Sequence, residues 1–82
     1  MAKIHPHALG RMLERGATED EVQATVGKGE QFLAKFGRTG FRRNFPFDTD
    51  WLGRHYQTKQ IETYAVQEND DWLVISIVTR YF

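Results

Sequence analysis

The 82-residue chain reads as an α+β domain: two N-terminal helices packed on a four- to five-stranded, mainly antiparallel sheet. Three observations carry this reading. Residues 5–16 and 17–27 each have complete helix punctuation. From Glu30 the apolar period changes to two, and the chain closes on Trp72–Phe82, a nearly continuous apolar run.

The first helix is the densest in chemistry. Pro6 suits the first helical position, where its missing N–H is no loss, and Gly16 suits the left-handed residue that ends a helix. Ile4 is placed to staple onto the first turn. Ala8, Leu9, Met12 and Leu13 form an apolar stripe of about 140°, the width of an ordinary buried face. His7, Arg11, Glu14 and Arg15 run beside it at spacings of three and four, so one helix edge carries an imidazole and two guanidinia. In the second helix Thr18 is the N-cap and Glu21 completes a capping box. Glu19, Asp20 and Glu21 suit the positive end of the helix dipole, so this acidic cluster is capping and not catalysis. Val22 and Val26 face the core, and Gly27 or Gly29 stops the helix.

Glu30–Phe36 reads as a strand with Phe32 and either Leu33 or Phe36 inward. Gly37–Gly40 is a hairpin turn. In the returning strand Phe41, Arg43, Phe45 and Phe47 share one face, with Arg42 and Asn44 on the other. Pro46 marks an edge strand or a strand end. Asp48–Gly53 reads as a loop with Trp51 and Leu52 tucked back on the core. Arg54–Lys59 is either a short strand or the start of a long one that takes in Ile61–Gln67. Glu68–Asp71 is a polar turn, and Trp72–Phe82 is expected to be a central strand buried on both faces.

One domain over residues 1–82 is expected, burying roughly 60–65% of its unfolded surface. Two Trp, three Tyr and six Phe supply that small core. There is no cysteine, hence no disulfide, no thiolate nucleophile and no cysteine zinc site. No apolar run approaches the roughly 20 residues of a membrane span, and no secretory apolar segment follows Met1, so a cytoplasmic protein without membrane contact is expected. The net charge is zero but unevenly spread: −1 over residues 1–30, +4 over 31–60 and −3 over 61–82. A basic middle between acidic ends fits a local anion-binding face, or an ordinary mixed surface.

The common phosphate-binding loops and the serine nucleophile elbow are absent. His5 and His7 straddle a proline at i, i+2, and His55 is far away, so ligand spacing for a metal is lacking; neither metal nor cofactor is expected. What remains is His7, Arg11 and Arg15 on the helix, with Arg38, Arg42, Arg43, Arg54 and His55 in the basic middle. This set fits metal-free RNA cleavage, which needs a base for the 2′-OH, an acid for the leaving 5′-oxygen and fixed positive charge for the crowded phosphate. The positive helix end favours a neutral, base-competent His7, and the arginine fork suits phosphate oxygens. Tyr64, Tyr81 and Trp51 are suited to stack on unpaired bases. The structural alternatives are that His7 only caps the helix, that Arg11 pairs with Glu14 or Glu21, and that the tyrosines are sheet residues.

His7-Ala8-x-x-Arg11-Met12-x-x-Arg15-Gly16, the acidic Glu19-Asp20-Glu21-Val22 and the closing Ile75-x-Ile77-Val78-Thr79-x-Tyr81 resemble domain-of-unknown-function family 4258. That family is similar to the RelE/BrnT-like toxins and the wider barnase–EndoU–colicin–RelE ribonuclease group. Both chain ends carry the resemblance; residues 30–60 match only in having strands and basic residues. It implies a metal-independent ribonuclease, with His7 as acid or base, Arg11 and Arg15 as phosphate clamp and Thr79 as a polar substrate contact. Arg11 or Arg15 could instead anchor the helix to the sheet. Arg42, Arg43, Arg54, His55 and Tyr81 complete the expected substrate surface. The expected partners are RNA and, for a toxin, an antitoxin or other protein partner. The alternative is a non-catalytic protein- or RNA-binding module on the same scaffold.

Overall fold

The structure, a computed structural model, describes residues 1–82. In order come β1 (Lys3–Ile4), α1 (Pro6–Glu14), α2 (Glu19–Lys28), β2 (Glu30–Leu33), β3 (Thr39–Trp51), β4 (Arg54–Glu68) and β5 (Asp71–Tyr81). The strands form one five-stranded sheet in the order β1-β5-β4-β3-β2. β1 runs parallel to β5, and every other pairing is antiparallel. This is the expected α+β architecture with both helices N-terminal.

Both helices obey their punctuation. The His5 ring accepts the His7 backbone N–H at 3.1 Å, and Gly16 takes the left-handed φ of 76°. Thr18 and Glu21 exchange both hydrogen bonds of a capping box, and Gly29, not Gly27, is the C-cap of α2. Only half of the α1 stripe is used. Ala8 and Met12 are buried, but Leu9 and Leu13 are 42% and 72% exposed. The reason is position: α1 packs on β5 near the sheet margin, and nothing lies over its other flank.

The strands depart from expectation in three places and resolve one open alternative. The last strand is not central; β4 is, because β1 pairs only with Leu73 and Val74 and leaves the rest of β5 with one neighbour. Arg54–Lys59 is the start of the long β4. Asp48–Trp51 continue β3 past a register slip between Pro46 and Thr49, and Leu52 and Gly53 (φ 51° and 81°) make the turn. Two successive left-handed residues match the twist of paired strands, which is why so tight a turn works. Finally, β2 ends at Leu33, and Lys35–Gly37 form a short 3-10 turn with Phe36 at φ 63°. Neither Leu33 nor Phe36 points inward: they are 94% and 87% exposed.

Pleating then sorts the side chains. Along β4, Ile61, Thr63 and Ala65 are fully buried beneath the helices and join Phe41, Val74, Ile77, Val22, Ala8 and Met12 in the core. Burying each large member contributes about 1.5–3 kcal/mol. Where α1 meets α2, the buried Lys59 Nζ lies 2.8 Å from the Glu21 carboxylate and donates to the Gly16 carbonyl at 2.9 Å. Trp51 stacks on Tyr81 there, ring centres 5.1 Å apart. The alternate residues of β4, Gln60, Glu62 and Tyr64, face the side that no helix covers.

Candidate functional site

The helix-free face is laid out in ranks by strand register. One rank is charged: Glu30, Arg42, Glu62 and Val78 stand opposite one another across β2, β3, β4 and β5. The next, two residues along, is aromatic: Phe32, Gly40, Tyr64 and Ser76. On the far side of the charged rank, Asn44, Gln60 and Arg80 form a third. Thus Arg42, from the basic middle, and Arg80, from the acidic end, converge on one carboxylate.

Glu62 is the hub. Arg42 Nε donates to its Oε2 at 2.7 Å, while Arg80 Nη1 and the Tyr64 hydroxyl reach Oε1 at 2.8 and 2.9 Å. Its side chain is only 4% exposed, whereas Arg42 and Arg80 are 38% and 53% exposed. The anion is therefore covered by its own cations; Arg42 Nη1 also lies 3.6 Å from Glu30 Oε1, and its guanidinium lies over the Phe32 ring at 4.7 Å. Burial pushes the Glu62 pKa up, but hydrogen bonds from Arg80, Arg42 and Tyr64 outweigh it and hold the carboxyl below its usual value. Tyr64 moves the other way: burial, then its hydrogen bond to Glu62, keeps the phenol protonated. The hydrogen bond to Glu62 likewise raises Arg42.

Two hollows flank this network. Phe32, Phe36, Arg38, Tyr64 and Ser76 help line an open cleft of about 420 Å³ over the aromatic rank. A wholly polar hollow of about 270 Å³, bounded in part by Lys28, Arg42 and Arg43, continues the charged rank past the end of β2. The cations Lys28, Arg42, Arg38 and Lys35 thus rim one surface.

The residues expected to form a site are dispersed over the fold. His7 is exposed on α1, on the helix side of the sheet, and its ring makes no hydrogen bond within the chain. Arg11 pairs with Glu14 at 3.5 Å. Arg15 donates to the Ile77 carbonyl, and its own carbonyl accepts the Tyr81 hydroxyl at 2.8 Å, so both anchor the helices to β5. The Thr79 hydroxyl is buried without a partner in the chain. Arg43 packs over Phe45 on the helix side and reaches the Ala24 carbonyl at 3.5 Å. At the β3–β4 tip, Arg54 lies over Tyr56 and His55 bridges Asp48 and Asp50 at 2.9 and 3.3 Å. Of the expected set, Arg42 and Tyr64 belong to the Glu62 network, with Arg43 lining the adjoining hollow and Arg38 the cleft.

Motif spacing does not single out Glu62 and Arg80. The available signal is alternation: Glu62 sits between Ile61 and Thr63, and an acid inside a strand needs a cationic neighbour or open water. No group of three or more His, Asp or Glu is arranged to hold a metal ion. No helix is long and apolar enough to cross a membrane. No family model, curated protein or solved structure matches this chain.

Proposed function

We propose that this chain is a metal-independent endoribonuclease that works on the helix-free face of the sheet. The observation that carries the reading is the convergence of Arg42 and Arg80 on the ionised, covered Glu62. A phosphate diester arriving at this face meets two partly exposed guanidinia, whose planar forks suit its non-bridging oxygens. As the arginines turn toward phosphate, the bonds that depress Glu62 weaken and its basicity rises. Glu62 then takes the proton of the 2′-OH, the 2′-oxygen attacks phosphorus, and the bond to the 5′-oxygen breaks. That oxygen takes a proton from solvent, leaving a 2′,3′-cyclic phosphate and a 5′-hydroxyl.

The resemblance of the chain's ends to domain-of-unknown-function family 4258, itself similar to RelE/BrnT-like toxins, supports reading the chain as a cytoplasmic toxin with an antitoxin as protein partner. It also points to His7 as acid or base, and the two assignments separate cleanly. Total RNA, alone and as translating ribosomes, is incubated in EDTA with wild type, Glu62→Gln and His7→Ala, and fragment ends are analysed. Cyclic-phosphate ends from wild type and His7→Ala but not from folded Glu62→Gln support the sheet-face site. Loss with His7→Ala and retention with Glu62→Gln moves the site to α1. No cutting by folded wild type in either substrate favours the second reading, a non-catalytic binding module. The exposed Leu33 and Phe36 beside the free edge of β2 favour that reading.

A further inference from the structure

The cleft over the aromatic rank has a use of its own. Its floor exists because residue 40 is glycine: a Cβ there would lie 2.4 Å from the Phe32 ring. Phe32 therefore lies down over β3 and meets Tyr64 edge-to-face, ring centres 6.2 Å apart at 87°. The wall is the turn after β2, where Phe36 holds a left-handed φ of 63° and exposes 87% of its surface. The left-handed pair Phe36–Gly37 closes the β2–β3 hairpin, but no packing inside the chain accounts for an exposed aromatic ring at this turn. Arg38 lies over that ring at 5.8 Å and, with Lys35, has no carboxylate partner, while Ser76 offers a hydroxyl on the opposite side. The cleft thus combines flat aromatic surfaces with a free guanidinium fork.

Register fixes its relation to the phosphate-binding residues. The aromatic rank is two residues from the charged rank, roughly 7 Å along the strands, and Tyr64 belongs to both, since its ring lines the cleft and its hydroxyl holds Glu62. A nucleotide whose phosphate lies on Arg42 and Arg80 has a base at that range. We propose, resting on the RNA-binding reading of the same face, that this cleft is a subsite for one unstacked nucleobase of a single-stranded RNA, with guanine preferred. The base stacks against the exposed Phe36 ring, and Arg38 donates to the two acceptors, O6 and N7, that guanine places side by side. Adenine offers an amino donor at the first of these positions and meets the guanidinium with repulsion.

The test is fluorescence anisotropy with labelled 2′-O-methyl RNA hexamers, which cannot be cut by attack of a 2′-oxygen. One hexamer holds a single guanosine among uridines; in others that position is adenosine or abasic. Wild type is expected to bind the guanosine hexamer about tenfold more tightly than the abasic one (~1.4 kcal/mol), with adenosine between them. Phe36→Ala and Arg38→Ala change exposed turn residues, keep the thermal midpoint and should erase most of that difference, while Arg42→Ala weakens all three hexamers alike. Wild type binding the three hexamers equally, with Arg42→Ala weakening all of them, overturns the base subsite and leaves the phosphate face standing. Wild type binding none of them overturns both.

Discussion

Arg42 Nε lies 2.7 Å from Glu62 Oε2 across the β3–β4 pair, on the one face of the sheet that no helix covers. Because Glu62 is nearly inaccessible and Arg42 partly open, the pair is asymmetric. The anion depends on its cations, while each cation retains water as an alternative partner. Glu62→Ala removes the acceptor of three charge-assisted hydrogen bonds and leaves Arg42 only Glu30, at 3.6 Å, as a counter-charge; it should cost about 1.5–3 kcal/mol. Arg80→Ala removes a half-exposed partner while Arg42 and Tyr64 remain, and should cost less than about 1 kcal/mol. Urea unfolding of the two variants checks the order; a larger loss for Arg80→Ala contradicts the hub assignment.

The same network sets an acid limit. Burial favours protonated Glu62, but bonds from Arg80, Arg42 and Tyr64 prevail, so its folded pKa lies below the ordinary 4.5. A depressed folded pKa contributes stability that is present in full above 4.5 and is lost as pH falls through the folded value. The thermal midpoint of wild type should therefore drop more steeply below pH 4.5 than that of Glu62→Gln, which has no proton to gain. Parallel curves for the two proteins sink this attribution.

Thr63 and Thr79 each bury a hydroxyl that has no hydrogen-bond partner in the chain. An unpaired buried polar group costs about 1–3 kcal/mol, and valine has nearly the same shape. Thr79→Val is expected to raise stability by about 1 kcal/mol and, on the proposed ribonuclease reading, to leave RNA cleavage unchanged. Loss of cleavage at full stability would restore Thr79 as a substrate contact.

Two glycines near one another in sequence should respond with opposite sign. At Gly16 (φ 76°) a Cβ would meet the Tyr81 hydroxyl at 2.6 Å and the Trp51 ring at 2.7 Å. Gly16→Ala combines a left-handed backbone with a steric clash, and a loss of about 2–3 kcal/mol is expected. Gly10 lies inside α1, where a Cβ would have nothing within 4 Å. Gly10→Ala should gain about 0.8–1 kcal/mol from helix propensity alone. Thermal melts of both variants decide the matter.

Local chemistry determined much of this protein from the sequence alone. The proline, glycine and capping-box signals around α1 and α2 act between residues a few positions apart, so they could be read without knowing the fold. Alternation in Phe41–Phe47 likewise separated Arg42 from Arg43 correctly, because a strand's two faces follow from its own pleat. Which strand is central was not legible: the apolar run of β5 owes its cover partly to α1, and β4 becomes the middle only through pairing with both neighbours. The site was less legible still. His7, Arg11 and Arg15 lie close together along one helix, yet Arg15 is spent on the Ile77 carbonyl and His7 is left without a partner. Arg42, Glu62 and Arg80 are about twenty residues apart in sequence and meet only in register across three strands. Sequence spacing governs what a residue does within its own turn of helix or strand; strand pairing governs which distant charges share a face.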